Sequence, residues 1–384
     1  MPDHPLTSVG GGGVIVEDEG PAGDPNGGDP VGWAEVAPLN TGRERLAGAS
    51  DADGLVYAIG GQSDANVYES VVEQYDPSTD AWTTVASIDT ARFDLAAASD
   101  ADGLVYAIGG NSSSATESVV EQYDPETDTW TAVAPLGTAR SELAAASDAD
   151  GLVYAIGGNT DDNLYEPSVE QYDPSTDTWT MVASLDTARR YPAGASDADG
   201  LIYAIGGDSE ANAHEPSVEQ YDPAADTWTT VAPLGTARSQ LAAASDSDGL
   251  VYAIGGNTEA NTFESVVEQY DPGTDTWAAV APLGTGRRFL PGVSDADGLV
   301  YAIGGQVDGF DATSAVEQLQ FGPEFADAYS ANGDTLFRAD DPDAELLNRT
   351  TDRRVTGDSL IARDGETIAW IVGSQSRLYR TEEQ

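Results

Sequence analysis

No cysteine and no lysine occur among the 384 residues, and histidine and methionine appear twice each. Without cysteine there is no disulfide, no thiolate nucleophile and no Cys-based metal site. The sequence also lacks an apolar run of about 18 residues and a charged-then-apolar leader. Neither a membrane span nor a secretion signal is therefore legible, and a cytoplasmic location is the default expectation. Positive charge is scarce: 16 cations, all arginine, face 67 Asp+Glu for a net charge of -51. Such a charge repels phosphate backbones and anionic leaflets, so neither nucleic-acid binding nor membrane insertion is expected.

The acids are spread along the chain rather than gathered in a tail, which points to the solvent and not to one acidic partner. With 40% hydrophobic residues the chain still has material for a core. Its acidic, lysine-free, small-residue-rich composition resembles that of proteins from salt-loving archaea. At ~1 M salt the Debye length falls to about 3 Å, and a self-repelling surface becomes tolerable.

What is abundant is repetition. Tryptophans fall at Trp33, Trp82, Trp130, Trp179, Trp228 and Trp277, and glycine pairs keep the same beat from Gly60-Gly61 to Gly304-Gly305. A fixed period near fifty marks a solenoid, propeller or array. Each unit reads as four short strands, as in LAAAS, LVYAIGG, SVVEQYD and WTAVAPL from Leu95 onward. The first pair is joined by SDADG and the second by DPETD, both tight-turn sequences. The second strand is apolar on both faces and so should be covered on both. The first is nearly all alanine, as crowding around a narrow central channel requires. Helical periodicity is absent.

The hydrophobic-Tyr-hydrophobic-Gly-Gly run, the Tyr-Asp-Pro turn, the Trp six residues past its Asp and the Arg about ten past Trp resemble the kelch family. That resemblance implies one four-stranded propeller blade per repeat. The expected fold is all-β: a six-bladed kelch β-propeller over 31–321. The first copy supplies only the strand Trp33–Leu39, while the last, from Arg287, loses the pattern after VEQLQF. The N-terminal strand should therefore close the sixth blade from outside and remove its exposed edge. Residues 1–30, rich in Gly, Asp and Pro, are expected to be disordered. Residues 322–384 carry 13 acids and 7 Arg, against 54 and 9 in the rest. They read as a small β-meander or a degenerate blade.

Chain reversal at each hairpin puts the 4→1 and 2→3 loops on one face of the disc, here called upper. The lower turns are SDADG five times and SDSDG once, whereas the upper loops differ in every copy. After the repeated arginine come Glu44-Arg45, Phe93-Asp94, Ser141-Glu142, Arg190-Tyr191, Ser239-Gln240 and Arg288-Phe289. After the glycine pair come Gln62, Asn111, Asn159, Asp208, Asn257 and Gln306. Variable loops on a copied scaffold point to a binding surface. In kelch binding modules the residues after the repeated Arg and after Gly-Gly line an upper ligand pocket, and the resemblance passes that role to these positions.

All nine propeller arginines lie in the 4→1 loops. The six repeated ones are expected to bridge to a neighbouring blade's carboxylate or backbone, leaving Arg45, Arg190 and Arg288 to make the mouth locally cationic. Asp94 and Glu142 should make the opposite side anionic. The expected function is non-catalytic binding of a protein, a peptide or a small carboxylate-bearing, anionic ligand. No cofactor is implied. The DADG turns invite a calcium reading, but turn chemistry alone accounts for Asp and Gly there, and no metal site is assigned. Among kelch enzymes, copper-radical sugar oxidases need cysteine and histidine ligands that this chain lacks. A sialic-acid mutarotase needs only an acid/base group and a cationic clamp, for which Glu44 or Glu142 with Arg190 and Arg288 would serve. A scaffold role in a larger assembly is the third reading.

Overall fold

The computed structural model describes residues 30–63, 67–162, 164–210 and 213–321. Elsewhere it describes the backbone of eight short strands within 6–16 and 325–380. The chain divides into two compact units, Val31–Gln320 and Met1–Pro30 with Phe321–Gln384.

The larger unit is a six-bladed propeller of four-stranded antiparallel sheets. Blade 1 consists of Ala47–Ser50, Val56–Ile59, Val72–Asp76 and Ala81–Val85, counted outward from the axis. Blades 2 to 5 repeat this order from Ala96, Ala144, Ala193 and Ala242. Blade 6 takes Gly292–Ser294, Val300–Ile303 and Val316–Phe321 from the end of the repeat array, and its outer strand is Pro30–Val36. The N-terminal segment closes the blade as expected, but as the strand Pro30–Val36 and not Trp33–Leu39. The innermost strands of blades 6 and 1 lie side by side and complete the ring.

The core sits between blades rather than within them. Every residue of the second strand in blade 1, Val56 to Ile59, is 0% exposed, because a neighbouring blade covers each face. Next to the axis, Gly48 and Gly292 have no room even for a methyl group. A Cβ on Gly48 would lie 2.6 Å from a Val293 methyl, and one on Gly292 would lie 2.7 Å from the Ala243 carbonyl oxygen.

The repeated tryptophans hold the outer rim. Each indole Nε1–H donates to an alanine carbonyl of the preceding blade, from Trp82 on Ala37 at 2.8 Å to Trp277 on Ala232 at 2.8 Å. In those five seams the N–H of the same alanine donates to an aspartate of the next blade at 2.7 Å, as Ala37 does to Asp80. Trp33 does the same for Ala281 at 2.9 Å, so the closing strand takes up the repeat's own register.

On the lower face the first Asp of each turn serves its own blade. Asp51 Oδ1 accepts the N–H groups of Asp53 and Leu55, and Oδ2 accepts the Tyr57 hydroxyl at 2.7 Å.

In the other unit Leu6–Val9 pairs with Gly13–Val16, and Phe325–Tyr329 pairs with Thr335–Ala339. A four-stranded antiparallel sheet places Glu345–Asn348 between Arg353–Thr356 and Ala369–Val372, with Arg377–Arg380 at its edge. The blades have a different order, running straight outward. Most of residues 1–30, on which disorder was expected, lie outside the described residues.

Candidate functional site

The upper face begins with the six repeated arginines, which are interior groups. Arg43, Arg92, Arg140, Arg189, Arg238 and Arg287 are each 0% exposed. Arg43 Nη2 donates to Glu73 at 2.9 Å, and its Nη1 donates to the Gly60 and Val71 carbonyls. The equivalent pairs are Arg92–Glu121, Arg140–Glu170, Arg189–Glu219, Arg238–Glu268 and Arg287–Glu317. The partner is the third-strand glutamate of the same blade and not, as expected, a group of the neighbouring one, because the loop that enters a blade packs against that blade's own third strand. Its other oxygen accepts a backbone N–H of the loop before the arginine, as Glu73 does from Asn40 at 2.7 Å. Six of the nine propeller arginines thus join strands and contribute no surface charge.

The glycine pair is required by the adjoining seam. Gly60 and Gly61 have φ of 61° and 95°, and a Cβ on Gly60 would lie 2.7 Å from the Arg92 carbonyl oxygen. Gly61 N–H donates to that same oxygen at 2.8 Å.

From this base each blade builds a platform of three neighbouring positions. Glu44 pairs with Gln62 and Gln62 with Tyr68; Phe93 pairs with Asn111 and Asn111 with Thr116. The same bridges join Ser141, Asn159 and Tyr165, and join Ser239, Asn257 and Phe263. Arg190 pairs with Asp208 and Asp208 with His214; Arg288 pairs with Gln306 and Gln306 with Ala312. The backbone thus brings together the residue after the arginine, the residue after the glycine pair and the residue before strand three. Ser141 and Ser239 are 1% and 0% exposed and lie behind the surface, while their larger counterparts reach it.

The second residue after each arginine forms the channel mouth. Arg45, Asp94, Glu142, Tyr191, Gln240 and Phe289 all have φ between 50° and 59°, a left-handed conformation uncommon outside glycine. Their backbones form a closed ring. The N–H of Asp94 donates to Arg45 O, Glu142 to Asp94, Tyr191 to Glu142, Gln240 to Tyr191, Phe289 to Gln240 and Arg45 to Phe289, at 2.7–3.4 Å. The ring holds each residue in its strained conformation and sends six different side chains to one mouth of about 130 Å³. That is room for several waters or one small polar group.

Arg45 spans this mouth. Its Nη1 lies 2.8 Å from Asp94 Oδ2 and donates at 3.0 Å to the hydroxyl of Tyr191, three blades away. Its guanidinium sits 3.9 Å over the Phe289 ring. Glu44 lies 4.0 Å from Arg45. Arg190 lies 3.7 Å from Glu142 and 3.4 Å from Asp208, over the ring of Tyr165. Asp208 is also 2.6 Å from His214 Nδ1. Arg288 contacts amides and rings instead. It donates to Gln306 Oε1 at 2.8 Å and Gln240 Oε1 at 3.1 Å, with Phe263, Phe289 and Phe310 around it.

Burial, with the neighbouring charge of Asp94, pushes the Glu142 carboxyl up to about 7, against the pull of Tyr191 and Arg190. Asp94 is also raised by burial, opposed by Arg45. Arg288 is lowered by burial and by Arg45. The expected split into a cationic and an anionic side is therefore redrawn. Arg45 and Arg190 reach across to Asp94 and Glu142, so the two signs meet, and the cationic remainder lies at blade 6.

Sequence reasoning missed Phe310, which stands in a loop specific to the last copy and is 61% exposed. It also passed over the mouth's closed hydrogen-bonded ring, for which a one-dimensional pattern carries no signal. Among the described residues no cluster of His, Asp or Glu suited to a metal ion occurs, and no helix is long and apolar enough to cross a membrane.

A family model described as the Attractin/LZTR1 beta-propeller matches residues 56–306. A solved structure entitled "Structure of YjhT" is similar with a TM-score of 0.62 at 17% identity, covering 74% of this chain and 99% of that one. At that identity the likeness is one of fold. No curated protein sequence matches the chain.

Proposed function

The chain belongs to the Attractin/LZTR1 β-propeller family, a kelch-type fold that supports a binding or scaffold role, and from that premise we propose that it is a non-catalytic binding module. Its ligand or partner, a protein, a peptide or a small carboxylate-bearing molecule, sits on the upper face. One observation carries this reading: six near-identical backbone platforms and one closed ring present different side chains in every blade. The scaffold is constant where it holds the fold and variable where it meets solvent, as in recognition surfaces. Phe93, Phe263, Phe289 and Phe310 and the three arginines outside the repeated position lie there. Aromatic residues and arginine are the types that dominate interface energetics.

The test is charge reversal. Arg190→Glu with Arg288→Glu is expected to lose partners that the wild-type chain retains from its native extract at matched salt, in a chain that still unfolds cooperatively. Normal retention by a folded double variant would overturn the assignment.

A second reading is favoured by Glu142. A carboxyl near neutrality, 3.7 Å from the Arg190 guanidinium, has the composition of an acid/base group with a cationic clamp for a sugar acid. Mutarotation of a sugar acid followed by NMR separates the two. Acceleration that disappears in Glu142→Gln supports the enzyme, and an uncatalysed rate in the wild type removes it.

A further inference from the structure

Eight of the nine propeller arginines end on a carboxylate. The six repeated ones reach third-strand glutamates, Arg45 reaches Asp94, and Arg190 reaches Glu142 and Asp208. Arg288 is the exception among the described residues, with no carboxylate at ion-pair distance and the charge of Glu44 acting on it only from farther off, in a chain where acids outnumber cations fourfold. It is held all the same. Gln306 and Gln240 present amide oxygens to its Nε and Nη1, which orient a guanidinium without neutralising it. A guanidinium has five N–H donors in one plane, so the three left over suffice for a two-point contact with a planar oxyanion.

The surroundings are aromatic. The centroids of Phe263, Phe289 and Phe310 lie 4.3, 4.9 and 5.5 Å from the guanidinium carbon. Phe263 and Phe289 are buried at 7% exposure, while Phe310, edge-on to Phe263 at 5.7 Å, is 61% exposed. Partial burial of a cation among rings strengthens its attraction for an anion, because little water competes. The exposed Phe310 ring offers an apolar surface beside that charge. The chain's net charge of -51 bears on the choice of ligand, since every added negative charge is repelled by the whole body. A single planar carboxylate is therefore favoured over a phosphate or a diacid.

We infer that Arg288 and Phe310 form one subsite for a carboxylate joined to an aromatic ring, the guanidinium taking the carboxylate and Phe310 packing on the ring. Gln240 and Gln306 position the guanidinium, and Phe263 and Phe289 shield it. This rests on the upper-face reading and specifies the ligand chemistry of one sector of it.

The experiment is an NMR titration of the full chain with phenylacetate, using phenylacetamide and acetate as comparisons. The expected result is saturable phenylacetate binding, with phenylacetamide failing to compete and acetate binding several-fold more weakly. Arg288→Gln should weaken phenylacetate at least tenfold. Phe310→Ala, at an exposed position where folding is not at stake, should weaken phenylacetate several-fold and leave acetate unchanged. Equal binding of the amide, undiminished affinity in a folded Arg288→Gln chain, or no saturation up to about 10 mM would each overturn the subsite. If phenylacetate instead shifts signals elsewhere on the 4→1 and 2→3 loops, this subsite fails while the upper-face reading stands. Shifts confined to the DADG turns would count against both.

Discussion

Glu142 connects the strain of the mouth to its charge. Its backbone is left-handed at φ 59°, and its carboxyl, pushed up by burial and Asp94, titrates at about 7. The unfolded carboxyl titrates near 4.3. Between those values the folded chain holds a proton that the unfolded chain has released, so this group's contribution to stability falls as pH rises from about 4.5 to 7 and is then constant. Glu142→Gln removes the effect. The variant should match the wild type near pH 4.5 and exceed it by about 1–3 kcal/mol at pH 8, as read from paired denaturant curves. A constant difference across that range would show that the carboxyl does not titrate there. The left-handed ring gives a second expectation. Gln240→Gly should leave stability equal or raise it by up to about 1 kcal/mol, whereas Gln240→Val should lower it by about 1–2 kcal/mol, since left-handed backbone is costly for a β-branched residue. Thermal unfolding of the pair decides it, and the reverse order would contradict the ring geometry.

At the level of strands and loops, each blade depends on one buried ion pair that joins its entering loop to its third strand. Arg140→Met leaves Glu170 buried with no cation and should cost about 3–5 kcal/mol. Adding Glu170→Gln should recover part of that loss, because the two side chains share one interaction. Purely additive costs in a double-mutant cycle would mean that the pair is not coupled. These elements also show what was legible in the sequence. The strands, their order and the closing role of the N-terminal segment could be read because a repeat imposes the same packing problem six times. The arginine partner was legible in principle, as Glu73 and its equivalents recur as faithfully as the arginines do. It lies about thirty residues away on another strand, however, and only the blade's fold brings the two together. The variable upper positions were identified from their divergence, but divergence does not tell a side chain at the surface from one behind it. Ser141 and Ser239 are of the second kind. Nor does it reveal that Arg45 and Arg190 reach the carboxylates of Asp94 and Glu142 on adjoining blades.

For the propeller as a whole, closure and charge are the governing features. Five outer seams have both the indole bond and the aspartate bond, while the seam between blades 5 and 6 has only Trp33 on Ala281 among the described residues. Trp33→Ala should therefore cost about 3 kcal/mol and also expose the edge of Val316–Phe321, raising hydrogen exchange there first. Trp130→Ala should cost a similar amount without that local signature. Uniform exchange in both variants would argue against closure by the N-terminal strand. Net charge acts everywhere at once. Because -51 is spread over the chain, raising salt toward ~1 M should raise the unfolding temperature steadily as repulsion is screened.

The central claim, that recognition belongs to the upper face, is tested most directly by site-specific photocrosslinking in extract of the native host. A photoreactive phenylalanine analogue would be placed in turn at Phe310 on the upper face, at Asp102 in a lower turn and at Met181 on an outer strand. The account expects discrete adducts from position 310 that disappear in the Arg190→Glu/Arg288→Glu background, and none above background from 102 or 181. Adducts of equal yield from the lower turn or the outer strand, or adducts at 310 that survive both charge reversals, would contradict it.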